Sequence, residues 1–119
     1  MRILVYGCGR TGSAVLRQLQ KNDAIELITA DPREDPAALE LGLIESVDIT
    51  DPLTPMNLEA IIDEWSPDMI LLATTSSDLA LGNSPGIDMM MDSLWTELAT
   101  ISKVPVILVD RDAGTHAGQ

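Results

Sequence analysis

Phenylalanine is missing from this chain, cysteine, histidine and tyrosine occur once each, and the only lysines are Lys21 and Lys103. Each shortage removes a class of function. A single cysteine, Cys8, allows no internal disulfide and no conventional zinc cluster, so no metal site is expected. The two tryptophans, Trp65 and Trp95, are too isolated to make a stacking platform for nucleic acid and read as core or edge packing. Seven basic side chains against nineteen acidic ones leave a formal charge of −12, which argues against nucleic acid or an anionic membrane as partner. The excess reads as a solvated acidic surface. No apolar run approaches the length of a membrane span, and residues 1–7 read as a strand, so a cytoplasmic location is expected. His116, the one histidine, falls in a stretch rich in glycine, alanine and polar residues, too loosely held to serve as a general base.

What remains suits one packed α/β domain. A chain of 119 residues with 45% hydrophobic content can bury a single core. The expected division is a dinucleotide-binding domain over 1–110 and a fraying tail over 111–119. The segment Gly7-Cys8-Gly9-Arg10-Thr11-Gly12 directly follows the apolar run Ile3-Leu4-Val5-Tyr6, and Asp31 closes the next one, Ile25–Ala30. A strand leading into G-x-G-x-x-G, a helix leading out and an acidic residue ending the second strand make up the dinucleotide-binding fingerprint in its proper context. Gly7 permits the tight turn, Gly9 lets the backbone approach a pyrophosphate, and Gly12 lets the helix pack closely on the sheet. The helix starting near Arg10 aims unpaired amides, those of Arg10 and Thr11 among them, at the phosphates. Asp31 is placed to accept hydrogen bonds from the adenosine ribose, which favours NAD(H) over NADP(H) because a 2′-phosphate would meet like charge. Arg33 pulls the other way, since it could turn toward such a phosphate. Cys8 sits where a helix N-terminus would stabilise a thiolate; a redox-sensing role stands beside the plainer reading of a small residue at a variable position.

Strands and helices alternate along the whole chain. Strands are expected at Arg2–Tyr6, Ile25–Ala30, Ser46–Ile49, Met69–Ala73 and Val104–Val109. The fourth of them, apolar without alternation, reads as buried on both faces. Helices are expected at about 10–21; at 36–41 with Asp35 as N-cap; from Thr54-Pro55 to Trp65, stopped by Ser66-Pro67; and at about 88–102. The last helix should bury Met91, Leu94, Trp95 and Leu98. Right-handed crossovers then predict a doubly wound, mostly parallel five-stranded sheet of order 3-2-1-4-5, a Rossmann-like three-layer sandwich. Ligands of such sheets bind at the carboxyl ends of the strands flanking the switch point.

Tyr6-Gly7-Cys8-Gly9-Arg10-Thr11-Gly12-Ser13 together with Val47-Asp48-Ile49-Thr50-Asp51 resembles the small nucleotide-binding domains that regulate potassium transport. Pro67-Asp68 before the fourth strand and Thr74-Thr75 after it look like that family and like dehydrogenase amino-terminal domains. In the transport family a Gly-Asp-Ala-Thr stretch lines the adenosine side; Asp48, Thr50 and Asp51 match its polar positions, while Val47 and Ile49 differ. The resemblance implies a cofactor site built from Gly7, Gly9, Arg10, Thr11, Gly12, Asp31 and Asp48, with NAD or NADH as cofactor ahead of NADP or an adenine nucleotide.

Thr74-Thr75-Ser76-Ser77-Asp78 sets hydroxyls at the carboxyl end of the fourth strand. They either contact the nicotinamide ribose or a small substrate, Thr74 nearest, or satisfy turn and N-cap groups. Residues 79–87 read as a loop with Gly82, Pro85 and Gly86 at hinge positions. Met89-Met90-Met91 cannot all face one core, so at least one is expected to be exposed or to lie in an interface, and a homodimer or a partner protein is the preferred account. No histidine, lysine or tyrosine maps to the rim, and Asp78 and Asp110 would need raised pKa values to act as acids, so no catalytic residue is assigned. Three functions follow in order of preference. The first is an NAD(H)-binding regulatory or sensing module. The second is an oxidoreductase component whose substrate residues come from another subunit or from the 74–87 loop. The third is an interaction domain without nucleotide binding.

Overall fold

Four apolar stretches form strands β1 (Arg2–Tyr6), β2 (Glu26–Ala30), β3 (Met69–Leu72) and β4 (Val106–Leu108). Between them run helices α1 (Arg10–Leu19), α2 (Ala37–Glu40), α3 (Leu58–Trp65) and α4 (Ile87–Ile101). The computed structural model describes residues 1–33, 36–73 and 87–109. All strand pairings are parallel and the sheet order is β2-β1-β3-β4, with Ile3 opposite both Leu27 and Met69. Among the described residues no helix is long and apolar enough to cross a membrane.

β1 is central, and its alternate side chains enter two cores, as a strand covered on both faces requires. Leu4 and Tyr6 join Ile28, Ile61, Ile62, Ile70, Leu72 and Leu98 on the side of α3 and α4. Ile3 and Val5 join Cys8, Leu16, Ala38 and Ala73 on the side of α1 and α2. Trp65 and Trp95 pack at the margin of the first core, and the Trp95 indole donates a hydrogen bond to the carbonyl of Val106 at 3.1 Å. Leu98 is fully buried, whereas the side chains of Met89, Met90, Met91 and Leu94 lie outside the described residues.

The architecture is thus α/β with a four-stranded parallel sheet, compatible with the doubly wound class but one strand short of expectation. In place of a strand over Ser46–Ile49 there is a single parallel bridge between Ala30 and Ile49. The reason lies in Asp48. Its carboxylate accepts the backbone N–H of Thr29 at 2.9 Å, and its own N–H donates to the Thr29 hydroxyl at 3.1 Å. A side chain therefore takes the donor that a longer ladder would have given to a main-chain carbonyl.

Other boundaries also shift. α1 ends at Leu19 rather than near Lys21, and Asn22 closes the turn beyond it by accepting the Ala24 N–H at 3.0 Å. α3 begins at Leu58 rather than Thr54, because the Asn57 side chain takes the Thr54 N–H at 2.8 Å and winds residues 54–57 into a turn. Ser66 stops it in the left-handed region at φ 51°, as the Ser66-Pro67 pair leads one to expect. α2 carries Pro36 at its N-cap, and Asp35 lies outside the described residues. β3 is covered unevenly: Ile70 and Leu72 are buried under α3 and α4, while Met69 and Leu71 are half-buried on the α1 side. β4 is the short run Val106–Leu108, extended by the Val109 N–H donating to Leu72 at 2.8 Å.

Candidate functional site

The link from β1 to α1 is held from four sides. The Gly7 N–H donates to the Ala30 carbonyl at 2.7 Å, and the Cys8 N–H donates to Asp31 Oδ2 at 2.8 Å. The Cys8 carbonyl accepts the Ala38 N–H at the start of α2, at 2.9 Å. From the far side, the Ala73 N–H after β3 donates to the Tyr6 carbonyl at 2.8 Å. Gly7 itself adopts φ 102°, a conformation that costs any residue with a Cβ dearly. Gly12 brings α1 so close that a Cβ there would stand 1.7 Å from the Gly7 carbonyl oxygen. The glycines of the motif thus form the turn and the tight helix–strand contact.

Beyond these ties the loop leaves donors unspent. Gly9 is the N-cap of α1 in extended conformation, and no side chain caps the helix. Among the described residues, the amides of Gly9, Arg10, Thr11 and Gly12 find no protein acceptor; the first helical bond runs from Ser13 N–H to Gly9 at 2.8 Å. Thr11 and Ser13 are buried, and the Ser13 hydroxyl is a buried polar atom without a partner. Buried donors are ordinarily paired, and each one left unpaired costs about 1–3 kcal/mol. Together with the dipole of α1 this makes the start of the helix a place that favours an anion. Arg10 is exposed beside it.

Asp31 lies just beyond β2 with only 1% of its surface exposed. Oδ1 accepts the Arg33 N–H at 2.9 Å and Arg33 Nε at 3.0 Å, while Oδ2 accepts the Cys8 N–H and Arg33 Nη2 at 2.6 Å. Burial alone would raise this carboxyl. The hydrogen bonds from the Arg33 side chain, the Cys8 amide and the Arg33 amide outweigh it and hold the group below its ordinary value of 3.8.

Gly7, Gly9, Arg10, Thr11, Gly12, Asp31 and Arg33 therefore converge at the carboxyl ends of β1 and β2. Asp48 stands apart, its carboxylate engaged by the Thr29 amide at 2.9 Å and by the Thr29 hydroxyl at 3.2 Å. Thr74, the 74–78 hydroxyl cluster, the 79–86 loop, Asp110 and His116 lie outside the described residues. Lys103 is drawn to Glu59 and Asp63 at 3.7 and 3.6 Å, and Lys21 sits past the end of α1. Among the described residues no three His, Cys, Asp or Glu side chains gather as a metal site. Ser13 and Ala38 escaped the motif reading. Ser13 follows the third glycine, and only its place between buried Gly12 and buried Leu16 hinted at an inward hydroxyl. Nothing in the sequence tied Ala38 to Cys8.

Of the two readings of Cys8, the structure favours the plainer one, a small buried residue. Its side chain is fully buried, and burial first, then the Asp31 charge, push the thiol up to about 12 from 9.0. The nearby helix start does not offset this, so Cys8 stays protonated and inert near neutrality. Iodoacetamide at pH 8 is expected to leave the folded protein unlabelled and to label it fully in denaturant. Because the folded value lies above the unfolded one, the stability tied to this thiol is complete below pH 9 and is lost as pH rises toward 12. Cys8→Ala should flatten the alkaline limb of an unfolding-versus-pH curve, and an identical limb in both proteins would refute that assignment.

No protein-family model matches the chain, and no curated protein matches it.

Proposed function

We propose that this chain binds a dinucleotide, NAD(H) ahead of NADP(H), and acts as a sensing or regulatory module. The observation that carries the reading is the glycine loop, pinned through Gly7 and Cys8 while, among the described residues, the amides of Gly9 to Gly12 and the Ser13 hydroxyl find no acceptor. A pyrophosphate would supply charged acceptors for those donors. The buried carboxylate of Asp31 beside the loop gives the ribose hydroxyls an acceptor and disfavours a 2′-phosphate. The groups gathered there are amides, a hydroxyl and a paired carboxylate and guanidinium, which suit holding a ligand more than moving a proton.

Calorimetric titration with NAD+, NADH, NADP+, AMP and ATP tests this. NADH is expected to bind, and Asp31→Asn to weaken it about 10-fold, the worth of a hydrogen bond to a charged acceptor. Silence across the whole panel would end the dinucleotide reading. Sedimentation with and without NADH tests the regulatory part, which expects a ligand-dependent change of association state.

A further inference from the structure

We infer that this chain associates with further copies of itself head to tail, the basic outer side of α1 seated on the acidic outer side of α3 of the next copy. Arg17 and Lys21 meet Glu59, Asp63 and Glu64. The contact lies away from the glycine loop and does not rest on the dinucleotide reading.

Charge is divided unevenly along the sequence. Residues 1–22 carry four of the seven basic side chains and no acidic one, so all nineteen carboxylates follow from Asp23 onward. Arg10, Arg17 and Lys21 fall at i, i+7 and i+11 with Ala14 between, and all four positions are exposed. That spacing draws one stripe down the outside of α1 and just past its end. Among the described residues none of the three cations makes an ion pair, although Arg2, Arg33 and Lys103 each do.

The acidic counterpart lies across the sheet. Glu59, Asp63 and Glu64 are exposed on α3, with Lys103 set against the first two. α1 packs on the core of Ile3 and Val5 and α3 on that of Leu4 and Tyr6, so the two stripes look out from opposite sides. Arg17 and Lys21 stand four residues apart, as do Glu59 and Asp63, about 6 Å along a helix axis in each case. Each side also leaves an apolar side chain in water. One is Leu41, held near the end of α1 by Gln20 Nε2 donating to the Leu43 carbonyl at 2.9 Å. The other is Met56, just before the N-cap of α3.

Charge decides how copies meet. Two α1 sides together would set cation against cation, and two α3 sides carboxylate against carboxylate; the mixed contact pairs opposite signs. Since the stripes lie on opposite sides, a docked copy still offers a free one, and the assembly grows instead of stopping at two. Salt acts in two directions. At about 0.01 M, charges act over roughly 30 Å, and the −12 on each copy drives copies apart. At about 0.15 M the reach is about 8 Å, which mutes the net charges and spares the facing pairs. At about 1 M the reach of about 3 Å weakens the pairs too.

Sedimentation equilibrium without nucleotide, at roughly 0.5 mM protein, is the test, since exposed ion pairs are individually weak. Association of the parent is expected to peak near about 0.15 M salt and to be about 10-fold weaker at about 0.01 M and about 1 M. Arg17→Gln with Lys21→Gln removes one side, and Asp63→Asn with Glu64→Gln the other; each double variant should self-associate about 10-fold more weakly. Mixed, the two should form a one-to-one complex at the parent's affinity and nothing larger. All four positions are exposed, and thermal melts check that both variants fold. Should one not fold, the self-association of the other decides. A parent that stays monomeric at every salt concentration, whether or not it sediments with anionic vesicles, overturns the inference. So do association that strengthens steadily with salt, the mark of an apolar contact, and variants that associate like the parent. None of these results touches nucleotide binding, which the calorimetry above decides.

Discussion

Gly12→Ala is expected to destabilise the fold by more than about 3 kcal/mol, beyond the usual range for a one-carbon addition. The added Cβ would lie 1.7 Å from the Gly7 carbonyl oxygen and 2.7 Å from its carbon. Both are backbone atoms, so no rotamer change relieves the clash. Nor can Gly7 retreat, because its φ of 102° and its bond to the Ala30 carbonyl fix the turn. Either α1 lifts off the sheet, exposing Leu16 and the core around Cys8, or the loop breaks. Gly42→Ala is the control. Gly42 also has a positive φ, 75°, but a Cβ there meets nothing within 4 Å, so only the backbone penalty of about 1 kcal/mol applies. Urea midpoints of the two variants separate steric from conformational cost. A Gly12→Ala midpoint no lower than that of Gly42→Ala would show that α1 does not approach the turn this closely.

Removing the Asp31 carboxylate is the second large effect. Asp31→Ala leaves the buried Cys8 N–H without its acceptor and strips the Arg33 guanidinium of a bidentate partner. Breaking a buried pair from one side costs roughly 3–5 kcal/mol; the partial exposure of Arg33 places this case at the low end, about 3 kcal/mol. The same group governs the acid limb. Its folded pKa is below the ordinary 3.8, so the stability it contributes is complete above that value and is lost as pH falls through the folded one. Asp31→Asn should be less stable than the parent at pH 7, with the two curves converging below about pH 4. A constant gap between the curves down to acid pH would mean that the carboxylate charge is not what stabilises the loop.

The contrast between what the sequence predicts and what the structure shows follows physical lines. The runs Ile3–Tyr6 and Met69–Leu72 and the glycine spacing were legible because hydrophobic period and missing side chains are local properties. So were Ser66-Pro67 as a stop and Asp31 as the residue ending the second strand. The third strand was not, because Val47-Asp48-Ile49 has strand-like neighbours and only the fold brings the Asp48 carboxylate onto the Thr29 amide. The start of α3 was missed for a similar reason: Asn57 reaches back to Thr54 and outcompetes the helix start that Pro55 suggested. Within the site, the chain pattern pointed to Asp31 and Arg33 separately. Their three-bond union, and the clasp of Cys8 by Ala38, depend on distances that no spacing rule encodes.

The position of β1 also bears on how the molecule assembles. β1 sits between β2 and β3, and Ile3 finds Met69 only once the 65 residues between them have been made. Closing so long a loop before its contacts reward it is slow. A nascent chain ending before residue 69 carries the Leu4–Val5 stretch with one flank unpaired, a sticky surface for a ribosome-bound intermediate. The glycine turn would acquire its last tie, from Ala73 to Tyr6, near the close of that sequence of events.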